Sequence, residues 1–276
     1  MKIAVVGLGI IGGSMAKAIQ KYTDHYVYGI NRSRKPLEMA LECGAIDEIA
    51  STDDLDKMDM IVLGVYPEVA VRFVRENAER INKNCIVIDT SGIKSGICPE
   101  LSAVAEEYGF SFVGFHPMAG KEKNGFEVSE AELFENANGI IVPCGAKQEA
   151  VEKVAELISQ LGFGRIVYAT PEEHDRMIAF TSQLAHVIAC AYVFSPCCPN
   201  HKGFSAGSYR DVSRVANINS ELWSELFIEN KHALLPELDT LISNLSLIRD
   251  GIEKGDRQEL AALLKKAKDV KEALGE

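Results

Sequence analysis

The chain has 276 residues, 47% apolar and 25% charged, and carries a formal net charge of −11 from 29 basic and 40 acidic side chains. That is the make-up of a soluble globular protein of one large or two ordinary domains. The acidic balance argues against an extended nucleic-acid surface, and no apolar run reaches the roughly 18 residues of a membrane span.

Lys2-Ile3-Ala4-Val5-Val6 reads as a strand and leads directly into Gly7-Leu8-Gly9-Ile10-Ile11-Gly12, with a helical stretch to Tyr22 behind it. A strand, G-x-G-x-x-G and a helix in that order form a dinucleotide-binding turn. Gly7 permits the tight turn, Gly9 lets backbone approach a pyrophosphate, and Gly12 lets helix pack on strand. Ile10 and Ile11 open the helix, whose unpaired N–H groups attract the anion. A cleaved signal peptide would destroy a strand that starts at residue 2, so the cytoplasm is the expected compartment. The seven cysteines fit it: they are odd in number, scattered, and include no C-x-x-C. Cys197, Cys198 and His201 read as loop residues rather than metal ligands, and no metal is expected.

The second strand ends at Gly29-Ile30-Asn31-Arg32-Ser33-Arg34, where an acidic residue would bond the ribose hydroxyls of NAD. Asn31, Arg32, Ser33 and Arg34 instead leave room for a 2′-phosphate. This favours NADP; NAD is the reading if the two arginines only face solvent. Further apolar strands are expected at 59–65, 85–89, 111–115, 138–143 and 165–169, with helices at 67–82, 96–108 and 147–161. Such alternation predicts an α/β domain with a mostly parallel sheet of the Rossmann type.

After Thr170-Pro171 the strand signals stop, which puts a domain boundary at 170/171: residues 1–170 bind dinucleotide and 171–276 are all-helical. Residues 172–195 predict one long, buried helix. A Pro-, Gly- and Ser-rich loop follows at 195–209, then a helix from about 219. Apolar residues at 234, 238, 241, 245, 248 and 252 mark a heptad-like stripe that favours burial against a second subunit. Gly255 ends it. Asp256 with Glu259 predicts a capping box that starts a last helix to about 274.

Three groups of residues carry chemistry. His116, in Phe115-His116-Pro117-Met118-Ala119-Gly120, follows a strand at the edge where open α/β sheets bind ligands, and an imidazole there can take a proton from a substrate hydroxyl. His186 sits inside an apolar helix, where a polar ring needs a partner. Arg210 and Arg214, in Tyr209-Arg210-Asp211-Val212-Ser213-Arg214, offer guanidinium forks for carboxylates.

In this order and spacing, the glycine turn, H-P-M-A-G-x-E-x-x-G from His116, Glu173-His174-Asp175, Leu184-Ala185-His186, the loop Gly207 to Arg214 and the trailing Trp223 resemble the prephenate/arogenate dehydrogenase family of tyrosine biosynthesis. The resemblance covers essentially the whole chain. It implies a Rossmann-type domain followed by a helical dimerisation domain, a homodimer, and oxidative decarboxylation of prephenate or arogenate with NAD or NADP. It further implies that His116 accepts the proton of the C4 hydroxyl, and that Arg214 binds a substrate carboxylate with His186 beside it. Glu122 would pair across the mouth of the site. Gly207, Asp211 and Trp223 would lie near the substrate side chain, while His174 and Asp175 would order the site. The family commonly reads D-x-x-S-V-K where this chain has Asp89-Thr90-Ser91-Gly92-Ile93-Lys94, so Ser91 is the candidate for the missing hydroxyl. Rival readings are a β-hydroxyacid or imine reductase, against which the absence of lysine between Lys153 and Lys202 counts, and a non-catalytic dinucleotide sensor.

Overall fold

A computed structural model describes residues 1–121 and 123–275. Its first 170 residues alternate as the pattern predicts. In chain order they form β1 (Lys2–Val6), α1 (Ile10–Tyr22), β2 (Tyr26–Ile30), α2 (Arg34–Glu42), β3 (Glu48–Ile49), β4 (Met60–Leu63) and α3 (Pro67–Asn77). Then come β5 (Ile86–Asp89), α4 (Cys98–Tyr108), β6 (Ser111–Pro117), β7 (Asn138–Val142), α5 (Gln148–Gln160) and β8 (Arg165–Tyr168). The sheet runs β3-β2-β1-β4-β5-β6-β7-β8. Every pairing is parallel except β6 with β7. β3 was not among the expected strands: it is a two-residue edge strand with no apolar run to betray it.

Alternation along the strands divides the core in two. Ile3 and Val5 of β1 pack with Met15 and Ile19 of α1 on one face. Ala4 and Val6 pack with Val74 of α3 and Leu101 of α4 on the other. Strand order reverses at β1, which pairs β2 on one side and β4 on the other. The crevice at the carboxyl ends of β1 and β4 is therefore the topological switch point, where such sheets bind their ligands.

Beyond β8 the chain is helical: α6 (Pro171–Ile178), α7 (Leu184–Val193), α8 (Gly207–Ser213), α9 (Ser220–Glu229), α10 (Lys231–Lys254) and α11 (Arg257–Ala273). Thr170 caps α6 in a capping box with Glu173. The single buried helix expected at 172–195 is corrected in two respects. A π-helical stretch, Ala179–Gln183, separates α6 from α7, and Phe180, Met177 and Tyr192 are about half exposed. By length and composition Pro171–Val193 is apolar enough to cross a membrane. Counting uninterrupted apolar runs missed this because Thr181, Ser182, Gln183 and His186 break it. Thr181 donates to the Met177 carbonyl at 2.8 Å, and Gln183 and His186 are bonded within the protein as described below.

The chain divides into two compact units, Met1–Asn230 and Lys231–Glu276. In the second, α10 ends at Gly255, whose φ is +69°, and Gly251 lets α11 approach through Leu260. Asp256 caps α11 by accepting from the Gln258 and Glu259 N–H groups at 2.9 and 3.0 Å. The reciprocal bond of the expected box is replaced by a Glu259–Lys254 ion pair at 3.7 Å. Of the stripe on α10, Leu234 is buried while Leu245 and Ile252 are exposed.

Candidate active site

At the switch point the three glycines serve different ends. Gly7 has φ +89°, and a β-carbon there would strike Val65 and the Gly64 carbonyl. A β-carbon on Gly12 would overlap the Gly7 carbonyl oxygen, so helix and strand touch as they stand. Gly9, by contrast, faces open space. It is the N-cap of α1 and supplies no side-chain cap, and no acidic residue occupies the first turn. Open donors, a clear approach and the helix dipole fit a pyrophosphate. Ile10 and Ile11 begin α1, both half-buried. Asn31 braces the turn: its Oδ1 accepts from the Leu8 N–H at 3.0 Å and its Nδ2 donates to the Ser33 carbonyl at 2.9 Å. Arg34 pairs with Glu38 at 3.0 Å. Arg32 and Ser33 are exposed beside it.

Three strands along from β1, β6 brings His116 to the same edge of the sheet. Its Nδ1 lies 2.8 Å from Nε2 of His174, whose Nδ1 lies 2.6 Å from Oδ1 of Asp175. The Asp175 carboxylate also accepts from the Lys94 and Ser95 backbone N–H groups at 2.8 and 2.7 Å. Burial opposes its ionisation, but the bonds from His174 and Ser95 outweigh burial and hold its pKa below the usual value. An ionised carboxylate only accepts, so His174 donates from Nδ1 and accepts at Nε2. His116 must then donate from Nδ1, which leaves its Nε2 as a bare lone pair. Burial, followed by the neighbouring His174 and Lys94, holds His116 well below the ordinary imidazole value. The result is a neutral base of fixed tautomer.

Behind this ring lies a buried ion pair, Lys94 Nζ to Asp89 Oδ2 at 2.6 Å, with both side chains fully enclosed. Lys94 also donates to the Ser91 carbonyl at 2.7 Å, and Asp89 accepts from the Phe115 N–H at 3.2 Å. The loop after β5 and the end of β6 are thereby tied together. This corrects the part expected of Ser91: its hydroxyl is buried and makes no hydrogen bond, to His116 or to any other described residue. Adjacent residues point apart, and it is Gly92 that faces the base. A β-carbon there would sit 3.8 Å from His116 Nε2 and 3.7 Å from Leu226.

Leu226 belongs to α9, which lies across this edge and links His116 to the helical residues. Trp223, one turn earlier on the same face, stacks on His186 with ring centroids 3.7 Å apart. His186 donates from Nδ1 to the Ser182 carbonyl at 2.9 Å, which turns Nε2 to the opposite edge of its ring. Gln183, in the π-helical stretch, donates to the Leu226 carbonyl at 3.1 Å, and Asn230 bonds both Asp175 and Gln183. The segment Arg214–Ala216 packs on α7, and α8 presents Arg210 and Asp211 on its exposed side. Gly207 begins α8, within 3.9 Å of Asp211 if it carried a β-carbon. Glu122 lies outside the described residues. Grooves along α3 and α4, lined by Arg75 and Glu100, include none of His116, His186 and Arg214. In the loop 195–209, Cys198 bonds the Tyr209 hydroxyl at 3.4 Å and His201 stacks on the same ring.

Two family models account for most of the chain: the nucleotide-binding domain of prephenate dehydrogenase over residues 15–168, and its dimerization domain over 170–266. The chain belongs to the prephenate dehydrogenase family. The prephenate dehydrogenase of Bacillus subtilis is 30% identical over 99% of this chain and 76% of that protein. The cyclohexadienyl dehydrogenase of Zymomonas mobilis is 31% identical over 99% and 95%. Among solved structures, the A. aeolicus prephenate dehydrogenase in complex with hydroxyphenyl propionate and NAD+ superposes with a TM-score of 0.85 at 25% identity, covering 99% of this chain and 98% of that one. The Synechocystis arogenate dehydrogenase gives 0.83 at 26%, covering 99% and 100%. An imine reductase from Bacillus cereus reaches only 0.53 at 16% identity, covering 99% and 93%, a likeness of fold alone. The rival reductase reading therefore gives way to a dehydrogenase of this family.

Proposed function

We propose that this member of the prephenate dehydrogenase family converts prephenate to 4-hydroxyphenylpyruvate with a nicotinamide dinucleotide. The observation that carries the reading is the His116–His174–Asp175 chain, which ends in an acceptor nitrogen on the ligand-binding edge of the sheet. His116 Nε2 takes the proton of the ring hydroxyl and returns it to the same oxygen as the ring becomes aromatic. His174 and Asp175 touch no substrate; they hold the tautomer. Arg214 and His186 hold the carboxylates, with Arg210 as a second guanidinium for them, Gly207, Asp211 and Trp223 near the substrate side chain, and Glu122 pairing across the mouth of the site. Gly7, Gly9, Ile10, Ile11 and Gly12 would hold the pyrophosphate. When bound, the nicotinamide supplies the hydride acceptor, while loss of CO2 leaves the product ring aromatic.

Asn31, Arg32, Ser33 and Arg34 would meet the adenine ribose, and the absence of a carboxylate among them supports NADP. Because Arg34 is engaged by Glu38, Arg32 is the residue to bind a 2′-phosphate. A homodimer is supported by the match to the family's dimerization domain and by the apolar side chains exposed on α7 and α10. The cytoplasm is supported by seven free cysteines. It is also supported by the internal bonds of Thr181, Gln183 and His186 in the stretch Pro171–Val193, which among the described residues is the one apolar enough for a membrane.

The test is formation of reduced nicotinamide from prephenate and from arogenate, each with NAD and with NADP. Prephenate with NADP should turn over with the highest kcat/KM. Faster turnover of arogenate would move the substrate to the amino analogue, and no turnover in any combination would overturn the reading.

A further inference from the structure

Helix α9 carries Leu226 against Gly92 and Trp223 against His186, so its placement sets two sides of the proposed site. Its far end is held by the Gln183 and Asn230 bonds described above. Its near end is held by residues from another part of the fold. Asn219 caps the helix, its Oδ1 accepting from the Leu222 N–H at 3.2 Å, and at the same time donates from Nδ2 to the Tyr66 hydroxyl at 2.9 Å. Further along, Glu225 Oε1 accepts from the Glu68 backbone N–H at 3.2 Å, filling an open donor in the first turn of α3. Tyr66 is the N-cap of α3. It directly follows Gly64 and Val65, the residues against which Gly12 and Gly7 pack. One short segment therefore touches the dinucleotide turn on one side and α9 on the other.

We propose that Tyr66, Asn219 and Glu225 form a latch that couples dinucleotide binding to the placement of α9, and through it to the substrate side of the site. The proposal rests on the function given above and adds to it three positioning residues outside the groups assigned to the reaction. A shift of the Gly64–Tyr66 segment on dinucleotide binding moves the Tyr66 hydroxyl, and Asn219 and Glu225 carry that movement into α9. Coupling of this kind is reciprocal: substrate or product must tighten dinucleotide binding by the same factor. Both latch bonds are exposed, so each is expected to change affinities or rates about two- to twelve-fold rather than abolish them.

Trp223 is the only tryptophan in the chain, so its emission reports the surroundings of α9 directly. The experiment compares wild type with Tyr66→Phe, which removes one hydroxyl, and with Glu225→Ala. In each, Trp223 emission is recorded without ligand, and the affinity for 4-hydroxyphenylpyruvate is measured with and without NADP. The latch predicts a shifted ligand-free emission in Tyr66→Phe and an unchanged affinity for NADP alone. It also predicts product binding that NADP no longer tightens, NADP binding that product no longer tightens, and a kcat lowered about two- to twelve-fold. Wild-type emission, coupling and kcat in both variants would overturn it, as would a lower melting temperature with those three unmoved. If wild type binds neither NADP nor product, the functional reading fails. The hold on α9 is then decided by the ligand-free emission, and no shift counts against it.

Discussion

One carboxylate, Asp175, sets the protonation of two rings. Because it accepts from His174, which in turn accepts from His116, the N–H of each ring points inward along the chain and only the His116 Nε2 lone pair faces the crevice. Burial is the leading cause that lowers both imidazoles, with Asp175 partly offsetting it at His174. Folding therefore favours their neutral forms. Between the ordinary value near 6.5 and the lower folded values the unfolded chain binds more protons, so the stability these rings contribute is present above pH 6.5 and is lost as pH falls below it. The same shift keeps the base ready in mild acid: the acid limb of kcat/KM that belongs to His116 should lie below pH 6.5, and a limb at or above 6.5 would contradict the assigned tautomer chain. As candidates, His186 was legible as a polar ring inside an apolar helix, His116 as an imidazole just after a strand at the ligand-binding edge, and Arg214 as a guanidinium in a loop that carries two such forks. Gly92 was read only as an absence. That it, rather than Ser91, faces the base is a fact of backbone direction that composition does not carry. Tyr66 and Asn219 gave no signal at all, since they stand far apart in the chain and meet only through the fold.

At the level of elements, the glycine turn separates binding from folding more cleanly than any other feature. A methyl group at Gly9 meets nothing, whereas one at Gly12 meets the Gly7 carbonyl. Gly9→Ala should therefore keep the wild-type melting temperature yet weaken dinucleotide binding by at least about tenfold, since the methyl group occupies the path of the pyrophosphate. Gly12→Ala should instead lower the melting temperature or prevent folding, for the turn has no room to give. Calorimetry and a dinucleotide titration on both variants decide it. A Gly9→Ala protein that binds normally would place the pyrophosphate elsewhere. The strands and most helices were legible as well, because buried parallel strands are apolar throughout and helices between them are amphipathic. The π-helical stretch was not: Thr181, Ser182 and Gln183 carry no mark of it, and its use, turning Gln183 toward Leu226 and Asn230, shows only when α9 is in place.

For the whole molecule, the order of strands decides where chemistry happens. The glycine turn, Tyr66, Gly92 and His116 come from four separate stretches of sequence. They share one edge because β1, β4, β5 and β6 lie side by side with β1 at the reversal. The apolar stripe on α10 was legible from its spacing, but how much of it one chain covers was not. Leu245 and Ile252 are 56% and 63% exposed, and helices with such faces associate. Sedimentation should give a two-chain species that persists at high salt, and Leu245→Asp should shift it toward single chains. A wild-type single chain at micromolar concentration would contradict the dimer. If His116 is the base in a site otherwise devoted to binding, the substitution that matters is His116→Asn. The variant should show a kcat about 10²- to 10⁴-fold lower with little change in KM and unaltered dinucleotide affinity. A kcat within about threefold of wild type would remove His116 from the mechanism.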